Sequence, residues 1–425
     1  MKKVRHTRFI FSFAFIVLAS LLFVIWITSY FIENWGSTYR STSSVADFNG
    51  DGLLDVVIAH ARYESPSGNL AESESTVFAH TTLWTGQEGG KFTPQTIAYS
   101  PSAAVGDLDG DGDMDILTTD RWQLQILLNQ GGAQGMQAGR FDLYPNPIRL
   151  EGEPIAAGSV LLVDLDGDGH LDGFVPGGCS PLIDQSQGGV AAKFYQPSPA
   201  WIWFNHWEPP GWLDRQTRSL VELGDLYMRA ALGDLDGDGS PDVFAGVRAA
   251  CPGGYDGHPD LVLLNDGHGS LRDSGQRLGQ ADSKSVALGD LDGDGDLDAL
   301  VGSGDGTRVW INQGGEQAGL PGEFELARDI LPSRDTHHIY LADFDGDGDL
   351  DALVAGVSQA GIWWNDGLAS FTHSGRAAFR FSPRHGLAVG DFNADGFSDI
   401  FAGAYNDDYK LWLNRGDGVF RIAGS

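Results

Sequence analysis

Cysteine is nearly absent: there are two, Cys179 and Cys251, in 425 residues, too few for a disulfide framework or a structural zinc site. Basic side chains are scarce as well. Lysine and arginine total 27 against 58 acids, a formal net charge of −31, which excludes nucleic acid and anionic lipid headgroups as partners of the folded body. Catalytic signatures are missing: no Gly-x-Ser-x-Gly elbow, no His-Glu-x-x-His pair and no phosphate loop. The chain also lacks an Asn-x-Ser/Thr sequon, which points toward a bacterial envelope. Apolar residues are not lacking. At 42% hydrophobic the chain can build a core, unlike a disordered acidic tail, and its 59 glycines announce many tight turns.

Charge is absent altogether from residues 9–32, which follow a basic stretch, MKKVRHTR, at 1–8. At 1.5 Å per residue such a segment makes about 36 Å of helix, enough to cross a bilayer. Trp26, Tyr30 and Trp35 lie near its outer end, where amphipathic rings favour the interface. A cleavable signal peptide is the rival reading, but its apolar region is usually about half as long and a small-x-small site should follow. The expectation is an uncleaved single-pass anchor. The basic tail 1–8 stays cytoplasmic, 33–40 serves as a tether, and 41–425 lies outside, in the periplasm or at the cell surface.

One nine-residue loop recurs seven times: DFNGDGLLD at 47–55, DLDGDGDMD at 107–115, DLDGDGHLD at 164–172, DLDGDGSPD at 234–242, DLDGDGDLD at 290–298, DFDGDGDLD at 343–351 and DFNADGFSD at 391–399. A short apolar run precedes each loop and another follows it. A third run ends in most units at Asn and a glycine turn (LQILLNQGG, LVLLNDG, GIWWNDG), and a fourth starts at Phe or Leu. Four short strands per unit, repeated seven times, predict an all-β, seven-bladed β-propeller. With strands A to D in each blade, the nine-residue loop joins A to B. Alternating strand direction then puts A–B and C–D connections on one face and B–C and D–A connections on the other. Seven whole blades fit, so the last packs against the first.

The loop pattern Asp-x-Asp/Asn-x-Asp-Gly-x-x-Asp places side-chain oxygens at positions 1, 3, 5 and 9, with a glycine at 6 for the sharp turn. This is the first half of an EF-hand ligand set, without the flanking helices, and oxygen-only donors suit Ca²⁺. The candidate ligands are Asp47, Asn49, Asp51 and Asp55; Asp107, Asp109, Asp111 and Asp115; Asp164, Asp166, Asp168 and Asp172; Asp234, Asp236, Asp238 and Asp242; Asp290, Asp292, Asp294 and Asp298; Asp343, Asp345, Asp347 and Asp351; and Asp391, Asn393, Asp395 and Asp399. Plain Asp/Gly turns are the alternative. They account poorly for seven copies, because carboxylates about 4 Å apart repel by roughly 4 kcal/mol per pair near a protein surface. Up to seven Ca²⁺ ions are expected, tying each A–B hairpin. The loops hold 29 of the 58 acids, so the extreme charge is largely a ligand inventory.

These repeats resemble the FG-GAP/VCBS family, whose best-known fold is the integrin α-subunit propeller, over about residues 41–423. The resemblance implies Ca²⁺ loops on one face and a ligand site on the other. Family members include adhesion receptors, lectin-like sugar binders and polysaccharide-degrading enzymes, so fold alone does not select a function. On the face away from the loops, Arg229, Lys284, His337, His338 and His385 stand at the entrance to strand A, where equivalent positions converge near the axis; a solvated polar rim is the plainer reading. Cys179 and Cys251 fall in B–C connections of neighbouring blades and can bridge them or remain separate thiols. Trp84, Trp310, Trp363 and Trp412 recur in third strands and read as inter-blade packing, leaving Trp207 and Trp212 as candidate sugar platforms. Arg415-Gly416-Asp417 spells an adhesion tripeptide but falls on the repeat's own turn template.

The expected function is a non-enzymatic adhesion, ligand-binding or scaffold module with a protein or glycan partner outside the cell. The alternative is a lectin or polysaccharide-degrading enzyme using the face opposite the loops. Intact-mass measurement before and after reduction checks the cysteines: a bridge adds two hydrogens on reduction, and an unchanged mass means two thiols.

Overall fold

In the computed structural model of the chain the described residues are 37–64, 76–119, 123–131, 138–149, 159–181, 195–208, 212–214, 217–219, 227–248, 258–314, 319–327, 331, 336–356, 359–375, 379–380, 385–404 and 408–423. The expected anchor 9–32 and Cys251, with the proposed bridge, lie outside them. One compact unit comprises 40–61, 79–182 and 194–425. A second comprises 1–39, 62–78 and 183–193, and is represented among the described residues only by strand ends.

The described residues are all-β and contain no helix. They form a seven-bladed β-propeller of antiparallel sheets. Blade 1 is Ser37–Ala46, Asp55–Glu64, Thr76–Gln87 and Lys91–Ala98; its first strand starts earlier than the expected residue 41. Blade 2 is Ser102–Gly106, Asp115–Thr119, Gln123–Asn129 and Phe141–Leu143, and blade 3 is Leu161–Val163, Asp172–Val175, Trp201–Trp203 and Thr217–Ser219. Blade 4 is Tyr227–Gly233, Asp242–Arg248, His258–Asn265 and Leu271–Asp273, and blade 5 is Ser283–Gly289, Asp298–Ser303, Thr307–Asn312 and Phe324–Leu326. Blade 6 is His338–Ala342, Asp351–Ala355, Gln359–Asn365 and Phe371–His373, and blade 7 is His385–Gly390, Asp399–Ala404, Tyr409–Leu413 and Arg421–Ile422.

Position 9 of every loop is the first residue of strand B. It pairs with the last residue of strand A, as in Gly106↔Asp115 and Gly289↔Asp298, so eight residues form each A–B hairpin turn. The A strands of adjacent blades touch, as innermost strands must. Ser43 and Tyr340, from blades 1 and 6, meet at 3.2 Å between their hydroxyl oxygens. Strand B is buried on both faces, which is why it reads as a continuous apolar run: Asp298–Ser303 (DALVGS) is buried throughout.

Alternate side chains of strands B and C enter opposite seams, giving one apolar cluster per seam. Val57 and Ala59 face blade 2, whereas Val56 and Ile58 face blade 7. The recurrent tryptophans fill the same seams. Trp84, Trp310, Trp363 and Trp412 are at most 9% exposed, so the packing reading holds for them, and Trp203 is buried in the same way.

A second device joins neighbours. The Asn closing strand C donates its side-chain Nδ2–H to the carbonyl of loop position 2 in the preceding blade: Asn129 to Phe48, Asn205 to Leu108, Asn265 to Leu165, Asn312 to Leu235, Asn365 to Leu291 and Asn414 to Phe344, at 2.7–2.9 Å. Six seams are riveted in this way. At the closing seam the corresponding residue is Gly86, whose Cβ would stand 2.4 Å from the Leu54 carbonyl oxygen, so no side chain fits. Aromatic packing takes over there. Phe401 lies 5.5 Å from Trp84 and 4.7 Å from Phe92 between ring centroids, and the Phe92 N–H donates to the Tyr409 hydroxyl at 3.3 Å. Blades 1 and 7 each use their own four strands, so the ring closes without strand exchange.

Blade 3 departs most from the repeat. Its B–C connection carries a ribbon, Gly178–Pro181 paired with Tyr195–Ser198, which contains Cys179. Its C–D connection carries another, His206–Glu208 paired with Trp212–Asp214, which contains Trp207 and Trp212. Strand D follows only at Thr217–Ser219, where no Phe or Leu marks it.

Asn312→Ala should leave the buried Leu235 carbonyl without its donor and cost about 1–3 kcal/mol. Urea denaturation reads this as a lower midpoint at unchanged slope. The exposed Gln87→Ala, in the closing blade, should cost much less.

Candidate metal centres

Each loop is organised by its own carboxylates. Position 1 accepts the N–H of position 6 at 2.7–3.1 Å in all seven copies (Asp47 from Gly52 through Asp391 from Gly396). Position 5 accepts the N–H of position 7 at 2.8–3.1 Å. Wrapping the chain this tightly needs a left-handed residue at position 4 as well as at position 6. Gly110 and Gly112 have φ of 73° and 95°; in the last loop position 4 is Ala394, at φ 58°. The second glycine position was visible in the repeat but was not singled out by a metal-ligand template.

Position 9 has two tasks. Asp55, Asp115, Asp172, Asp242, Asp298, Asp351 and Asp399 are at most 1% exposed. One oxygen of each accepts the N–H of loop position 2 at 2.9–3.1 Å. The other accepts the N–H of the residue closing strand C, Gly86 or one of the six asparagines, at 2.7–2.9 Å. This carboxylate therefore ties loop, strand B and strand C together, and through Asn reaches the preceding blade. The Asn that closes the circuit was legible as a recurring letter, but its sequence context suggested only a turn.

Donor atoms gather where the pattern predicts. Single ligand atoms of Asp107, Asp109 and Asp115 lie within 4.8 Å of one another, as do those of Asp164, Asp166 and Asp172, of Asp234, Asp236 and Asp242, and of Asp290, Asp292 and Asp294. Burial, then neighbouring negative charge, raises some of the loop acids. Asp109 is pushed up to about 6, Asp115 to about 8, Asp172 and Asp298 to about 7, and Asp242 to about 6. The backbone hydrogen bonds to position 9 act in the opposite direction without cancelling burial. Asp55 and Asp351 rise to about 6 and Asp399 to about 7 for the same reason.

Several loop oxygens are buried and accept no hydrogen bond: Asp345 Oδ1, both oxygens of Asp113 and Asp296 Oδ2. Buried acceptors clustered with like charges call for a cation. Oxygen-only donors in flexible loops fit Ca²⁺. The first and last loops carry Asn49 and Asn393 at position 3 and one charge fewer. Asn393 donates Nδ2–H to Asp395 at 3.0 Å, a local contact between two of the candidate ligands.

At the opposite end of strand A, the structure brings Arg229, His337 and His338 together. Burial, then the positive charges of His337 and Arg229, lowers His338 to about 3, so it is neutral. Lys284 lies 3.9 Å from Asp282, which Arg248 grips with Nε at 3.0 Å. His385 opens strand A of blade 7, opposite Ala404. Sequence reasoning missed Asp260, buried nearby. It accepts the Val247 N–H and the Ser283 hydroxyl, each at 2.8 Å, and burial pushes it up to about 7. No motif marks it. Arg415-Gly416-Asp417 is a turn: Arg415 and Gly416 donate their N–H groups to Asn414, and the Asp417 carboxylate accepts from Val419 at 3.1 Å.

Fold and loops define a β-propeller whose blades each carry an acidic A–B turn. The FG-GAP-like repeat pattern matches residues 47–118, 107–175, 234–301, 290–354 and 343–402, most of the chain, and the protein belongs to that family. The unmatched interval before 234 coincides with the blade 3 ribbons. A search of curated proteins finds no match. Among solved structures, the chain is similar to an Agrocybe aegerita lectin that recognises non-reducing terminal N-acetylglucosamine, at 17% identity and a TM-score of 0.47, over 89% of this chain and 86% of that one. It is also similar to the rhamnogalacturonan lyase YesW at 13% identity and a TM-score of 0.47, over 88% and 71% of the two chains. A Bacillus licheniformis rhamnogalacturonan lyase is similar at 13% identity and a TM-score of 0.44, over 91% and 72%.

The raised carboxyls set a pH dependence. An acid whose folded value exceeds its unfolded value near 4 binds its proton more tightly when folded, so its contribution favours folding at low pH and is lost as pH rises through the folded value. In EDTA, the urea midpoint is expected to fall between about pH 4.5 and 8. Excess Ca²⁺ should flatten or reverse that slope.

Proposed function

We propose that this protein is a Ca²⁺-loaded propeller, held at a membrane by residues 9–32, that binds a protein or glycan outside the cell through the face opposite its acidic loops. The observation that carries the metal half is the set of buried loop oxygens lacking a donor, at Asp113, Asp296 and Asp345, whose carboxyls are raised first by burial and then by their acidic neighbours. The residues at positions 1, 3, 5 and 9 would hold the ions, which supply positive charge in place of the protons those carboxyls otherwise retain. Through position 9 and the Asn rivets, each loaded loop would stiffen its own blade and its neighbour.

The ligand half rests on charge placement. The acids concentrate in the A–B turns, whereas Arg229, Arg248, Lys284 and His337 gather at the other end of blades 4 to 6, around the neutral His338. In a chain of net charge −31 this is an unusual concentration of basic groups, suited to a polar or anionic partner. The reading is a binding or scaffold module without catalysis.

EDTA should lower the melting temperature by roughly 10 °C or more, with recovery in excess Ca²⁺, since several sites binding only the folded state add their effects. An unchanged melting curve would remove the metal. Crosslinking in the native membrane, alongside a glycan array, tests the ligand. Capture that is lost in an Arg229→Glu, Lys284→Glu double variant supports the face, and capture indifferent to that variant places the ligand elsewhere. Release of sugar product would convert the reading to an enzyme.

A further inference from the structure

Blade 3 adds a nitrogen to its loop. His206, directly after the rivet residue Asn205, places Nε2 3.1 Å from Asp166 Oδ2 and 3.9 Å from Asp168 Oδ2. Single donor atoms of His206, Asp166 and Asp168 lie within 4.8 Å of one another, and Asp166 is shared with the grouping of Asp164 and Asp172. In the other blades the residue after the strand-C terminus is Gln87, Gln130, Asp266, Gln313, Asp366 or Arg415, so no other loop has an imidazole in this place.

The imidazole is positioned by more than its contact with the carboxylates. Asn205 is locked on both sides, its N–H on Asp172 and its side chain on Leu108, each at 2.8 Å. His206 then opens the C–D ribbon, pairing with Asp214. Its ring stacks on Phe204, with centroids 6.3 Å apart and planes at 20°. Phe204 is itself held against blade 4, where a Cβ on Gly269 would stand 2.3 Å from its ring. A rigid strand end, a ribbon found in no other described C–D turn and an aromatic backing therefore converge on one nitrogen at the mouth of an acidic loop.

We propose that the loop 164–172 together with His206 is a mixed imidazole–carboxylate site for a first-row transition ion such as Zn²⁺ or Mn²⁺, distinct in metal preference from the all-oxygen loops. Imidazole favours such ions, whereas Ca²⁺ prefers oxygen donors throughout. Two donors each about 2.0–2.1 Å from one ion sit about 3 Å apart, as His206 and Asp166 do. The inference rests on reading the acidic loops as metal sites.

The test uses the full chain in detergent. It is stripped with EDTA, re-equilibrated with millimolar Ca²⁺, given a small excess of Co²⁺ as a spectroscopic probe and desalted into Ca²⁺ buffer. Elemental analysis should find one Co²⁺ per chain alongside Ca²⁺, with visible absorption bands from a nitrogen ligand. His206→Gln should lose the Co²⁺ and its bands by at least tenfold in retention while keeping its melting temperature in Ca²⁺. Asp168→Asn, which retains an acceptor for the His170 N–H, provides a second variant and should also lose the ion. Co²⁺ washed out of the parent chain, or retained equally by both folded variants, overturns the proposal. A chain that takes up no Ca²⁺ overturns the broader metal reading, and that result is read independently of the Co²⁺ content.

Discussion

The propeller depends on burying one carboxylate per blade. Position 9 of each loop sits at the start of strand B with almost no exposure, and a bare charge there would be strongly unfavourable. Its two oxygens instead accept N–H groups from the loop and from the end of strand C. The same contact orients the strand-C asparagine, whose side chain reaches the preceding blade. Loop conformation, strand pairing within the blade and registration between blades therefore share one small set of hydrogen bonds. Disturbing the carboxylate would be felt in two blades.

The loop chemistry follows from that arrangement. Because positions 1 and 5 spend their oxygens on local N–H groups, the loop is preformed before any ion arrives. Preforming it also packs like charges together, and burial, then that charge, raises Asp109 and Asp115 above the usual carboxylate range. In the proposed reading, a cation would relieve repulsion the fold has already accepted, without having to organise the backbone. The closing seam lacks the asparagine link and relies on aromatic packing among Trp84, Phe92, Phe401 and Tyr409. A ring of like units must close somewhere, and here apolar contact replaces a directional bond.

Much of this was legible beforehand. The seven loops, the A–B placement and the tryptophans as packing residues follow from spacing alone, because each repeat reports the same environment independently. The gathering of acidic side chains in each loop was legible for the same reason. The role of the strand-C asparagine was not, since its partner lies 70 to 100 residues away in another blade. Nor was strand D of blade 3, where the ribbons interrupt the repeat. Asp260 has no repeated counterpart, so nothing in the pattern draws attention to it.

The amino-acid sequence by itself determined the number of blades, the strand order and the acidic turn in each hairpin, because these are local and repeated. Only the tertiary structure decided which atoms of one blade touch the next. It set the asparagine rivets between blades and, within single blades, left Gly86 without room for a side chain and brought His206 to Asp166 across 40 residues of chain. Those contacts join segments that are remote in sequence, and local periodicity carries no record of which atoms meet.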